Sequence, residues 1–178
     1  MARPSRDSIL IDSARLWATR STCSRLGVGA VFARDGRILV TGYNGAPAGM
    51  PHCDHTCTCY AEAVGVSPAG KTSWGSSQWR LEMVRGSDGE LHNPTCKSLS
   101  PCLESEHAER NGIAWAARNG VKLEGSELFV THMPCLACAM SLINAGISRV
   151  VYDEAYRDDS GVRLLRQASI VVDQWNHV

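Results

Sequence analysis

SELFVTHMPCLACAMSLINAGISRVVY, residues 126–152, holds a strand, a helix and a second strand in one run. SELFVT (126–131) and SRVVY (148–152) are short, apolar and rich in β-branched residues, as strands are. Between them a helix opens at Pro134, where a missing N–H costs nothing, runs to about Ala145 and stops at Gly146. Two strands joined this way lie parallel, with the helix covering one face of their sheet.

The same alternation continues outward. Downstream come a loop, a short helix GVRLLRQA (161–168) and a strand SIVVD (169–173). Upstream, a helix over about 107–119 ends at Gly120. Further back, GVGAVFA (27–33) and RILVTGY (37–43) are joined by Asp35-Gly36, a hairpin signal. A helix over 5–20 precedes them, with Ile9, Leu10, Ala14 and Trp17 at helical spacing. The pattern predicts a three-layer α/β/α sandwich with a mixed sheet of about five strands, antiparallel in the hairpin and parallel after it. The stretch 44–106 breaks the rhythm with NGAPAGMP, HCDHTCTC, KTSWGSSQW and SDGELHNP. A single domain is expected over 1–178, with a Cys-rich insert at about 50–104. No internal repeat is visible.

Composition narrows the function. The chain has 178 residues, room for one domain with a substantial core. Lys plus Arg and Asp plus Glu number 18 each, which gives no basic surface for wrapping a long nucleic acid. The first residues hold no apolar run long enough for a signal peptide or membrane span, so a cytoplasmic location is expected. In that compartment closely spaced thiols bind metal more often than they form disulfides, and the chain has eight cysteines.

The strongest chemical signal joins HAE (107–109) to PCLAC (134–138). Cys135 and Cys138, three apart at a helix start, share a face and sit in a field that favours thiolates. His107 adds a third ligand from the start of the preceding helix. Three protein ligands leave the fourth position of a tetrahedral zinc for water and lower that water's pKa to about 7. Residues two apart in a helix interior point to different sides, so His107 and Glu109 are placed in the first turn, where both can aim inward. There Glu109 can shuttle a proton. A capping glutamate and a redox Cys-x-x-Cys are the competing readings. The first is common for any lone glutamate, and the second needs a thioredoxin-like context that is absent. His-x-Glu followed by Pro-Cys-x-x-Cys is the pattern of zinc nucleobase deaminases.

The chain resembles the deoxycytidylate (dCMP) deaminases of the zinc-dependent cytidine/deoxycytidylate deaminase superfamily, in their bacterial and phage-like form. The likeness rests on STCSRLGVGAV (21–31), TGYNGAPAGMPHC (41–53), HAERN (107–111), THMPCLACA (131–139) and NAGISRVVY (144–152). HAE and PCxxC are shared by many deaminases, whereas GYNGAPAG followed by a His–Cys pair is narrower. The resemblance implies zinc at His107, Cys135 and Cys138, Glu109 as proton shuttle, and hydrolysis of dCMP to dUMP for thymidylate synthesis. It implies that Asn44 contacts the sugar and makes Arg25 and Tyr156 candidates near the nucleotide. A guanidinium such as that of Arg25 suits a phosphate. It also implies a homohexamer activated by dCTP and inhibited by dTTP, with Mg2+ accompanying a nucleotide effector, in the host cytoplasm if the chain is of phage origin. The family's usual HAExNA ends here in Gly112. Deamination of a base within RNA or DNA, or of a 5-substituted dCMP, stays open as an alternative.

The other six cysteines form a second set. Cys53, Cys57, Cys59, Cys96 and Cys102 flank a long aperiodic excursion, unusual in a compact domain unless something ties it down. A closed zinc site would do so. The resemblance implies ligands near Cys23, Cys53 and Cys102, with Cys57, Cys59 or Cys96 as the fourth, and His52, His55 or His92 can substitute. His132 and His177 read as structural or solvent-facing. Trp74 and Trp79 read as packing residues of the insert.

Overall fold

The structure is a computed structural model that describes residues 3–23, 26–49, 84–85, 91–92, 105–156 and 158–176. Helix α1 (Arg6–Ala18) begins at Ser5, whose side chain accepts a hydrogen bond from Ser8 N, and Asp7 in its first turn suits the helix dipole. Strands β1 (Gly29–Arg34) and β2 (Arg37–Tyr43) form the expected hairpin. Its two-residue turn needs positive φ at both positions, and Asp35 (53°) and Gly36 (74°) supply it. A short antiparallel pair, β3 (Val84–Arg85) and β4 (Leu91–His92), stands apart from the main sheet. The remaining elements alternate: α2 (Ala108–Arg118), β5 (Glu127–His132), α3 (Leu136–Asn144), β6 (Arg149–Glu154), α4 (Ser160–Gln167) and β7 (Val171–Gln174).

The main sheet has five strands in the order β2-β1-β5-β6-β7. β1 is antiparallel to both β2 and β5, while β5, β6 and β7 run parallel. This is the mixed sheet the sequence predicts, and its alternation of side chains divides the core in two. Leu128, Val130, Val150 and Tyr152 face a layer built by α2, α3 and α4. Phe129 and Val151 face Leu10, Ile11 and Ala14 of α1. Each fully buried Phe, Leu or Val contributes roughly 1.5–3 kcal/mol. Among the described residues no helix is long and apolar enough to cross a membrane.

Three contacts set the positions of the site-bearing elements. A Cβ built on Gly42 would lie 2.2 Å from Ala108 O, so β2 carries the first turn of α2 directly on its backbone. A Cβ on Gly112 would fall 2.5 Å from the Phe32 ring. The departure from HAExNA is thereby explained: the ring on β1 fills the space a methyl group would need. Arg149, at the start of β6, bonds Asp7, Glu127 and Asp173 at 2.8–3.0 Å, tying α1, β5 and β7 to one guanidinium.

One local expectation is corrected. Pro134 does not open α3. The helix starts at Leu136, and Cys135 is its N-cap, with extended backbone at φ −72° and ψ 169°. The proline is buried one residue before the cap.

Candidate active site

His107 and Cys135 occupy the same place on two different helices. Each is an N-cap with extended backbone, and neither side chain caps its own helix. Most N-caps bend their side chains back onto the first turn. Here the imidazole and the thiol turn toward each other instead. Cys138, the third residue of α3, is fully buried beside them. His107 Nδ1 lies 3.6 Å from Cys135 Sγ and 3.4 Å from Cys138 Sγ. All three ligand atoms fall within 4.8 Å of one another, and no other such group exists among the described residues. Tetrahedral zinc with Zn–N of about 2.0–2.1 Å and Zn–S of about 2.3 Å needs an N···S separation of about 3.5 Å. The spacing fits.

The electrostatics fit as well. The contact with Cys138 draws the Cys135 thiol down to about 3, helped by the hydrogen bond to His107, while the same contact and burial push Cys138 up. At a helix N-terminus and beside an imidazole, the thiol pair is well placed to carry negative charge. Glu109, the second residue of α2, is only 3 % exposed. Burial pushes its carboxyl above the usual carboxylate range, held back by its own backbone N–H, by His107 and by a contact with Cys138. A carboxyl poised this way can accept and return a proton beside the ligands.

The segment before His107 is locked to the turn after β2. Gly45 and Glu106 exchange two backbone hydrogen bonds, 3.1 and 2.8 Å. Asn44 therefore lies next to the chain that leads into His107. Its amide is already at work: Oδ1 accepts from Val28 N and Nδ2 donates to Leu26 O, both at 2.7 Å. One lone pair and one N–H remain for a ligand. Tyr156 is half exposed in the connection between β6 and α4. Arg25 lies outside the described residues, as do Cys53, Cys57, Cys59, Cys96, Cys102, His52, His55, His177, Trp74 and Trp79. Cys23 is described and half-buried.

Some neighbours escape a reading of sequence alone. Arg110 Nε lies 2.6 Å from Glu106 Oε1, which also accepts from His107 N. Their i, i+4 spacing is the signal that marks this pair. His132 lies between Glu154, 3.2 Å from Nε2, and Thr131 Oγ1, 3.0 Å from Nδ1. That pairing needs the register of β5 against β6, which no local pattern reveals.

The sequence model of the family described as the cytidine and deoxycytidylate deaminase zinc-binding region matches residues 4–154. The chain belongs to that family. It is 34% identical over 167 residues to the deoxycytidylate deaminase of Enterobacteria phage T2, covering 84% of this chain and 80% of the relative. It is 36% identical over 152 residues to that of Mycobacterium phage D29, covering 85% and 97%. Among solved structures, the dCMP deaminase of cyanophage S-TIM5 in complex with dCMP and dUMP superposes with a TM-score of 0.68 at 27% identity, covering 98% of this chain and all of that one. The zinc-binding family and the cytidine deaminase-like fold are those that the motifs imply.

Proposed function

We propose that this member of the family is a dCMP deaminase, converting dCMP and water to dUMP and ammonia and so supplying dUMP for thymidylate synthesis. The observation that carries the reading is the His107–Cys135–Cys138 triangle, spaced for zinc, with the buried Glu109 beside it. The phage relatives bear the same activity in their names, and the cyanophage structure holds dCMP and dUMP together. Zinc held by the three residues would supply an acidified water for attack on the pyrimidine. Glu109 carries the two protons of that water in turn, one to the ring nitrogen and one to the departing amine, which leaves as ammonia. Asn44 offers its spare N–H and lone pair to the sugar, Arg25 the charge for the phosphate, and Tyr156 a contact on the β6–α4 side.

The reading includes one domain over 1–178 and its insert at about 50–104. It includes a second, closed zinc site on Cys23, Cys53 and Cys102 with Cys57, Cys59 or Cys96. A homohexamer in the cytoplasm, responsive to dCTP and dTTP with Mg2+, belongs to the same proposal. The test compares kcat/KM for dCMP, 5-methyl-dCMP, deoxycytidine and a cytosine-containing oligonucleotide. The expected order puts dCMP far ahead of deoxycytidine, with the oligonucleotide inert. Turnover confined to oligonucleotides would overturn the reading, and equal efficiency on deoxycytidine would make this a nucleoside enzyme.

A further inference from the structure

Gly161, the second residue of α4, is buried against the backbone of the thiol-bearing loop. A Cβ built there would lie 2.1 Å from Pro134 O and 2.8 Å from both C and O of Cys135. Its φ is not positive, so nothing in its own conformation calls for glycine. In a helix, glycine is less stable than alanine because it loses more backbone freedom on folding. Close approach is the remaining reason for it.

We propose that Gly161 is a positioning residue for Cys135, letting α4 form the floor under the peptide that aims its thiol at the metal. The inference rests on the metal-centre reading above. Neither side of this contact can easily give way. On the loop side, Met133 N donates to Glu154 O at 2.9 Å, and the His132–Glu154 pair braces the same rung. Beyond it, Cys135 O accepts from Ala139 N at 2.9 Å, the first bond of α3. On the other side, α4 is anchored in the core by Val162 and Leu165, 3 % and 0 % exposed. An added methyl group must therefore move the Pro134 carbonyl first and the Cys135 carbonyl with it. That rotates the peptide carrying Sγ and disturbs the start of the helix that carries Cys138. The N···S distances of 3.4–3.6 Å leave little room for such a shift.

The experiment follows zinc release from the holoprotein to an excess of a chromogenic chelator, alongside thermal unfolding. The phase missing in Cys138→Ser identifies this site. Gly161→Ala is expected to release that zinc about 10–100-fold faster, with the usual affinity loss on removing support behind a metal ligand falling on the off-rate. Leu165→Ala, which loosens the anchor of α4, should also accelerate release. Leu10→Ala, in the core on the α1 face, should lower Tm yet release zinc at the wild-type rate. Wild-type release from both α4 variants overturns the proposal, as does Leu10→Ala releasing as fast as Gly161→Ala. If Gly161→Ala does not fold, Leu165→Ala against Leu10→Ala decides by the same criterion. A wild-type protein without that zinc phase sinks the metal reading itself, and the inference falls with it.

Discussion

Glu109 and Asn44 are both buried polar residues, yet they hold opposite places in the site. Glu109 keeps its carboxyl beside His107 and Cys138, whereas Asn44 commits one lone pair and one N–H of its amide to Val28 and Leu26. Glu109→Gln keeps shape and all three candidate ligands, so zinc content should stay at the wild-type value while kcat falls about a hundred- to ten-thousand-fold. Metal analysis and steady-state kinetics on the same preparation check this, and near-normal turnover would remove Glu109 from the mechanism. Asn44→Ala should raise KM for dCMP. It should also cost about 1–3 kcal/mol in denaturant unfolding, because Val28 N and Leu26 O lose their partners. A raised KM without any loss of stability would mean that solvent replaces both bonds. At this scale the sequence is informative wherever spacing encodes chemistry, as in His107-x-Glu109 and Cys135-x-x-Cys138. It is silent about Asn44 as a clamp, because that role depends on Leu26 and Val28 coming back across the sheet.

Elements were legible wherever the period was clean. The Asp35-Gly36 hairpin, the strand–helix–strand run from 127 to 154 and the last helix and strand all fall within a few residues of their expected bounds. Pro134 misleads because proline is equally at home just inside a helix and just before its cap. The choice is made by the thiol of Cys135, whose place on the cap frees its side chain for His107. Gly112 was equally opaque from sequence, since its reason lies in Phe32, some eighty positions away. Gly112→Ala should destabilise the protein by about 1–3 kcal/mol, the usual cost of overpacking. Phe32→Leu in the same chain should recover part of that loss, as contacting residues couple. Thermal or denaturant unfolding of the two single variants and the double variant tests this. Strict additivity would mean that the ring is not what fills the space.

Among the described residues, α1 packs on one side of the sheet, while the candidate site gathers on the α2–α3–α4 side. Arg149 joins the two through Asp7, Glu127 and Asp173. Arg149→Met leaves three carboxylates around an uncharged side chain and should cost about 1.5–3 kcal/mol. Part of that loss should return as salt rises, because like-charge repulsion is screened. A variant equally unstable at every ionic strength would point to lost packing rather than charge. The topology also bears on the order in which the molecule assembles. His107 stands only 28 and 31 positions from Cys135 and Cys138, and all three belong to the contiguous α2–β5–α3 stretch. Closing a loop of that length costs less entropy than bringing together Ala30 and Val130 for the β1–β5 pairing, and contacts closer in sequence tend to form before distant ones. A cation can therefore be captured while the β1–β2 hairpin is still seeking β5, and act as a nucleus rather than a late ornament. Stopped-flow refolding with and without zinc should then show a faster folding limb, whereas an effect confined to slower unfolding would date the capture after the barrier.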